Sequence, residues 1–405
     1  MPEIRSNPRS IASSLIAFAL IACTGSIEDG SSSSRLVFAV AQAGTINCLN
    51  SNTSTPVTVA VGLLIVNSNL DQPGGFSNCS SVATESAPYD LATTATGDRI
   101  IVSLPSKGKL EVRSNKANLP VIATLQPKTG EFCPTRLALS PDARRVAVLD
   151  DPDDAAARNL GCTNTNSRQP RVLIFNLAAI TASNTLLEPI RIATGGASGT
   201  FEANRANGPL ALATLNLASD TQTFVIAKFN SYSIFRFSKN NETDSKITGT
   251  SLNPSDLNSP DPTLRLELTS VDSRLLLTFN AKSGSAGGAY FVDPNTFALT
   301  QIKFNDIALA ATNRAIWNNR PNDSLIAYLQ PGSVIFQRLG NPASNSKAQF
   351  VNNPIDAAFT SDNYAWVLQS NSVSRFDITS LTNISNPSSV SLDLNARAIG
   401  TFIQQ

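Results

Sequence analysis

Histidine is absent from all 405 residues, and the single methionine is Met1. Without an imidazole, Ser-His-Asp triads, Cys-His dyads, HExxH zinc sites and imidazole acid–base catalysis are excluded. Charge is scarce as well. Asp, Glu, Lys and Arg make up 15% of the chain, against roughly 25% in an average soluble protein, and Ser, Thr and Asn fill much of the gap. The 31 basic and 30 acidic residues nearly cancel, so the strong basic excess of a nucleic-acid footprint is missing. What remains is a hydrophobic content of 41%. Over this length it suffices for a substantial core, as one large domain or two smaller ones.

The first 22 residues have the three parts of an export signal. Arg5 and Arg9 precede an apolar run from Ile11 to Ala22, and a processing site follows. The run is too short to span a bilayer, which needs around 20 residues. Leu20-Ile21-Ala22-Cys23 resembles the bacterial lipobox. That resemblance implies cleavage before Cys23 and a diacylglycerol thioether on its thiol; two or three acyl chains anchor stably where one is marginal. The alternative is an ordinary cleaved signal that happens to contain Cys23. Without residues 1–22, which carry Glu3, Arg5 and Arg9, the charge counts become 29 and 29. Residues 23–34, rich in Ser and Gly, read as a flexible tether. In enteric bacteria an Asp after the lipidated cysteine tends to retain lipoproteins at the inner membrane; here that residue is Thr24, which favours the outer membrane where sorting follows that rule.

Four further cysteines, Cys48, Cys79, Cys133 and Cys162, suit an oxidising compartment and allow three pairings. Nearest-neighbour pairs, Cys48–Cys79 and Cys133–Cys162, each bracket a turn-rich loop and are the expected bridges. Closing each loop is worth roughly 3 kcal/mol in the chain-entropy model. A thiolate metal site is the rival reading, but CxxC spacing is missing.

From Arg35 onward, short runs of Val, Ile, Leu and Phe alternate with polar residues, punctuated by Gly, Pro, Asn and Asp, which predicts an all-β chain. Only Leu177 to Ser183 looks briefly helical. A polar turn carrying Asp, followed by a short apolar strand, recurs at Asp98, Asp142, Asp220, Asp272, Asp323 and Asp362. The spacings of 44, 78, 52, 51 and 39 residues give a period near 50, with one insertion from Asp151 to Pro170. Several copies follow a Pro-containing strand start, as at Pro88, Pro134, Pro209 and Pro354. Strand and turn alternating at this period are the signature of β-propeller blades. The Asp carboxylate is expected to hold the hairpin by accepting backbone amides.

Leu139-Ser140-Pro141-Asp142-Ala143 resembles the Ser-Pro-Asp-Gly hairpin of bacterial YVTN and WD-like propellers, with Ala143 in place of Gly. The resemblance covers most of residues 35–405 and implies a β-propeller. About seven four-stranded antiparallel blades fit the length. The seventh would combine Arg35–Leu70 with Val390–Phe402, which removes an exposed edge. An eight-bladed ring or a pair of β-sandwiches are the alternatives.

Candidate chemistry is sparse. Asp150, Asp151, Asp153 and Asp154 form an acidic cluster that could hold Ca²⁺, although its spacing is not that of an EF-hand loop, and a solvated loop is the plainer reading. Gly195–Gly199 and Gly284–Gly288 lack the spacing of a phosphate loop. Trp317 and Trp366 suit either an aromatic lining or blade packing. Enzymatic propellers of the superfamily use acidic and histidine residues around the channel, and the histidines are missing here. No catalytic constellation emerges. The expectation is a lipid-anchored envelope scaffold or adaptor with a membrane contact through Cys23, a protein partner and no nucleic acid. The alternative is a carboxylate-based hydrolase or lyase on carbohydrate or lactone substrates.

Overall fold

The computed structural model describes residues 34–50, 53–67, 76–94, 96–128, 130–140, 142–163, 170–194, 209–217, 220–228, 232–237, 248–251, 266–271, 274–279, 288–302, 314–318, 325–338, 345–360, 363–381, 384 and 387–403. The chain divides into two compact units, residues 1–32 and Ser33–Gln405. The first unit, with Cys23, lies outside the described residues, as do Gly195–Gly199.

The second unit is all-β, with seven sheets among the described residues. Sheet one joins Ser34–Asn50, Gly62–Asn67 and Ser80–Ala83 to the final strand, Asp393–Ile403, with Thr53–Val59 and Phe76–Ser77 as additions. Sheet two contains Leu91–Thr93, Arg99–Leu104, Lys109–Ser114 and Val121–Leu125, and Leu186–Leu187 adds in parallel at its edge. Sheet three contains Pro134–Leu139, Arg145–Asp150, Arg171–Asn176 and Arg191–Thr194. Sheet four runs through Pro209–Leu217, Asp220–Lys228, Tyr232–Phe237 and Thr248–Ser251. Sheet five comprises Leu266–Val271, Arg274–Phe279, Gly288–Val292 and Leu299–Gln301. Sheet six comprises Arg314–Asn318, Leu325–Gln330, Gly332–Arg338 and Asn345–Val351. Sheet seven comprises Asp356–Phe359, Tyr364–Leu368, Ser372–Asp377 and Ser388–Ser391.

The leading strands of successive sheets lie side by side. Asp393–Ile403 neighbours Leu91–Thr93, and the contacts pass through the leading strands of sheets three to seven and return to Asp393–Ile403. Closure depends on antiparallel pairing of Ser34–Thr45 with Asp393–Ile403, running from Ser34 opposite Ile403 to Thr45 opposite Asp393. The register shifts between Ala39 and Thr45. Near one shift, Gly44 approaches so closely that a Cβ there would meet the Asp393 carbonyl oxygen at 1.8 Å, so only glycine fits. The C-terminal strand thus supplies sheet one, as the sequence suggests, but Val390 belongs to sheet seven instead.

The second strands of sheets two, three and six are buried on both sides because both faces are covered. In sheet one, Leu36, Phe38 and Val40 join a cluster with Trp366 and Leu368 of sheet seven, while Val37 and Ala39 join Ile100 and Val102 of sheet two. In sheet two, Ile101 turns the other way, towards Val146, Val148 and Leu173 of sheet three. In sheet seven, Ala365 and Val367 pack with Leu325 and Ala327 of sheet six. Trp366 is therefore core, fully buried with Phe76 at a ring distance of 5.9 Å. Trp317 lies in the leading strand of sheet six.

The Asp turns join first and second strands. Asp142 Oδ1 accepts the Ser140 hydroxyl at 2.6 Å and the Arg144 amide at 3.1 Å. Asp98 Oδ1 accepts the hydroxyls of Thr94 and Thr96. Asp220 opens the second strand of sheet four, opposite Leu217. Asp272, Asp323 and Asp362 lie outside the described residues. Ala143 sits at φ +56°, and Asn363, at the same place in sheet seven, at +63°. The left-handed conformation explains why glycine is usual here, and alanine pays about 1 kcal/mol for its Cβ. The helical expectation needs correcting: Leu177–Ala179 is a single 3₁₀ turn, and the α-helix among the described residues is Ala155–Asn159, inside the insertion. Its signal is the Asp154 side chain, which accepts the Ala157 amide at 2.8 Å as an N-cap.

Two stability measurements follow from this architecture. Ala143→Gly raises stability by about 1 kcal/mol, read as a higher denaturant midpoint at unchanged m. Phe402→Ala, which empties a site shared by sheets one and two, lowers it by about 3–5 kcal/mol; a loss below ~1 kcal/mol would show that closure does not govern stability.

Candidate axial binding site

Near the beginning of their leading strands, sheets two, three, six and seven each carry a charged residue, and the final strand carries another. Asp90 immediately precedes the leading strand of sheet two, and Arg136 lies near the start of the leading strand of sheet three. Arg314 and Asp356 begin those of sheets six and seven, and Arg397 lies in the final strand. Tyr89, Asp90, Arg136, Arg314, Pro354 and Arg397 border one cavity of about 490 Å³.

The two aspartates are built alike. Asp90 Oδ1 accepts the Leu91 amide at 3.0 Å, and its Oδ2 accepts the Leu137 amide of sheet three at 3.1 Å. Asp356 Oδ1 accepts the Ala357 amide at 2.9 Å, and its Oδ2 accepts the Ile399 amide of sheet one at 3.0 Å. Each carboxylate therefore ties its own sheet to a neighbouring one. Arg314 completes the arrangement, 3.0 Å from Asp356 and 3.9 Å from Asp90. Both aspartates are only 2% exposed. Burial pushes the Asp356 carboxyl up to about 6, against the opposing pull of Arg314 and the Ile399 amide.

Tyr89 connects this cavity to the insertion. Its hydroxyl donates to Asp154 Oδ1 at 3.1 Å, and the Arg397 guanidinium lies 5.4 Å from its ring centre. Burial raises the Tyr89 phenol to about 12, with Arg136 pulling in the opposite direction. The insertion is joined to the segment before sheet three by Cys133–Cys162, with a Cα separation of 5.9 Å; Cys48–Cys79 forms a second bridge among the described residues at 6.0 Å. Both are the nearest-neighbour pairs.

The acidic cluster does not converge. Asp150 is buried and receives the Cys133 amide at 2.7 Å and Arg171 at 2.6 Å. Asp151 caps a turn through the Asp153 amide, Asp153 pairs with Arg158, and Asp154 caps the helix and accepts Tyr89. No group of three or more His, Cys, Asp or Glu residues suited to a metal occurs among the described residues. Four neighbouring acids on a turning chain point to four different partners. The residues that do converge, Asp90, Arg136, Arg314, Asp356 and Arg397, were not singled out from sequence. Their legible trace is the recurrence of Pro88-Tyr89-Asp90, Pro134-Thr135-Arg136 and Pro354-Ile355-Asp356.

No protein-family model matches the chain, and no curated protein matches it. Among solved structures it is similar to a provisionally named 6-phosphogluconolactonase from Bacteroides uniformis, with a TM-score of 0.53 at 12% identity, covering 91% of this chain and 99% of that one. AztD from Citrobacter koseri gives 0.49 at 10% identity, covering 91% and 97%. The WD40 repeats of RRP9 give 0.49 at 10%, covering 78% and 84%. The fold is propeller-like.

The Asp356 carboxyl supplies a pH test. Its folded value, about 6, lies above the unfolded value of about 3.9. Its stability contribution is thus fully present below pH ~4 and lost as pH rises through ~6. Relative to Asp356→Asn, the wild type loses up to about 3 kcal/mol between pH 4 and 7. A difference between the two proteins that stays flat over that range contradicts the assignment.

Proposed function

We propose that residues 35–405 form a seven-bladed propeller, one blade per sheet, that acts by recognition at a bacterial cell envelope. In this reading residues 1–22 are removed, a lipid on Cys23 anchors the chain to the membrane, and residues 23–34 are the tether. The observation that carries recognition over catalysis is the state of the axial carboxylates. A general base or nucleophile needs a carboxylate oxygen turned towards substrate. Each oxygen of Asp90 and of Asp356 accepts a backbone amide, and both carboxylates also neighbour Arg314, which fits a holding role better than a reacting one.

The hydrolase or lyase reading has in its favour the likeness to a provisionally named 6-phosphogluconolactonase. At 12% identity that likeness carries fold and no catalytic residue. The surface also bears on the kind of recognition. Val121 and Leu186 are the exposed large hydrophobic residues among those described, so a polar contact fits better than a broad apolar one.

Two measurements test the reading. Cys23→Ser should move the protein from the membrane fraction to the soluble fraction, and unchanged membrane partition would remove the anchor. Crosslinking from intact envelopes, with Cys23 preserved, should enrich a specific protein over an unrelated lipid-anchored control. No enrichment, together with stoichiometric metal in the purified protein, would instead favour the enzyme.

A further inference from the structure

We infer that the axial cavity bordered by Tyr89, Arg136, Arg314 and Arg397 is a binding site for a single carboxylate group, presented by a small organic acid or by the chain end of a protein. The inference rests on the recognition reading above and names the chemistry recognised.

Three guanidiniums from three sheets border one cavity of about 490 Å³, within the range of roughly 300–1,000 Å³ that holds small ligands. Arg314 is engaged by the two aspartates. Arg397 stands differently: it lies over the Tyr89 ring, and its Nε is buried with no hydrogen-bond partner among the described residues. A buried donor without an acceptor costs about 1–3 kcal/mol, a cost that an incoming acceptor removes. The planar guanidinium fork suits a carboxylate in two-point contact.

Charge selects the anion. Among the described residues lining the cavity, three arginines face one aspartate, Asp90, and Asp356 pairs with Arg314. A single carboxylate meets this excess of basic side chains. A phosphate dianion would be repelled more strongly than a monoanion by Asp90 and Asp356, which are buried where screening is weak. The Tyr89 hydroxyl is already donated to Asp154, so the phenol offers its ring and leaves the anion to the arginines.

The test titrates the full chain with N-acetyl-Ala-Ala, its C-terminal amide, propionate and inorganic phosphate. The free acid should bind at least about tenfold more tightly than the amide and than phosphate, the difference expected of a charge-assisted contact. Binding of the dipeptide well above that of propionate identifies a chain end as the source, and equal binding a small acid. Arg397→Gln should lose about tenfold in acid affinity at unchanged melting temperature. If that variant melts early, the acid and amide comparison on the wild type decides alone. Acid and amide binding alike, no binding of either by about 10 mM, or tighter phosphate binding overturns the inference. An envelope protein captured equally by wild type and Arg397→Gln would sink the chain-end source and leave the recognition reading standing. Acid-selective binding with no envelope partner would do the reverse.

Discussion

The structure depends on one pairing, that of Ser34–Thr45 with Asp393–Ile403. Propeller sheets gain stability by covering one another's faces, and each contact is local to two neighbours. An open series would leave one face of sheet two and one face of sheet seven in water. Sheet one, made from both ends of the chain, covers both at once: Leu36, Phe38 and Val40 face sheet seven, and Val37 and Ala39 face sheet two. The ends meet across more than 350 residues, the kind of late, long-range contact that slows folding but locks it. The register shifts and Gly44 show the local adjustment that a strand needs when it bends to meet this constraint.

Closure also creates the axial site. Bringing the leading strands together sets Asp90, Arg136, Arg314 and Arg397 around one cavity. Charges placed there must answer one another. Arg314 bridges Asp90 and Asp356, and each aspartate uses its two oxygens on amides of its own and a neighbouring sheet. The same residues that hold adjacent sheets in register thus set the electrostatics of the cavity. Removing one aspartate disturbs both, because a buried arginine loses its partner while an amide loses its acceptor.

Much of the architecture was legible in the sequence because its signals are local. The Asp turns repeat at a readable period, and Asp142 makes the amide contact that its type predicts. Cys48–Cys79 and Cys133–Cys162 close short loops, so proximity along the chain sufficed. Ala143 marked a deviation whose meaning needed a dihedral angle. The short helix at Ala155–Asn159 escaped notice because one turn of helix has no amphipathic period, only a cap, and the capping Asp154 was hidden among other acids. The axial residues escaped for a different reason. Asp90 and Asp356 lie 266 positions apart, and Arg136, Arg314 and Arg397 carry the opposite sign, so no shared residue type marks them as a group along the chain.

The missing histidine acquires a more specific sense at this site. Arginine stays protonated at any accessible pH, so the positive charge at the axis is fixed. Beside the cavity, burial holds up the carboxyl of Asp356, the partner of Arg314, to about 6. Protonating it removes a competing negative charge beside Arg314. The cavity becomes more positive as pH falls through about 6, so its pull on an anion strengthens in mild acid and is weakest in base. A histidine in the same position would add positive charge over the same interval, but at the expense of a neutral site above it. Carboxylate and arginine together instead retain the positive charge of the guanidiniums and vary only the negative charge beside it.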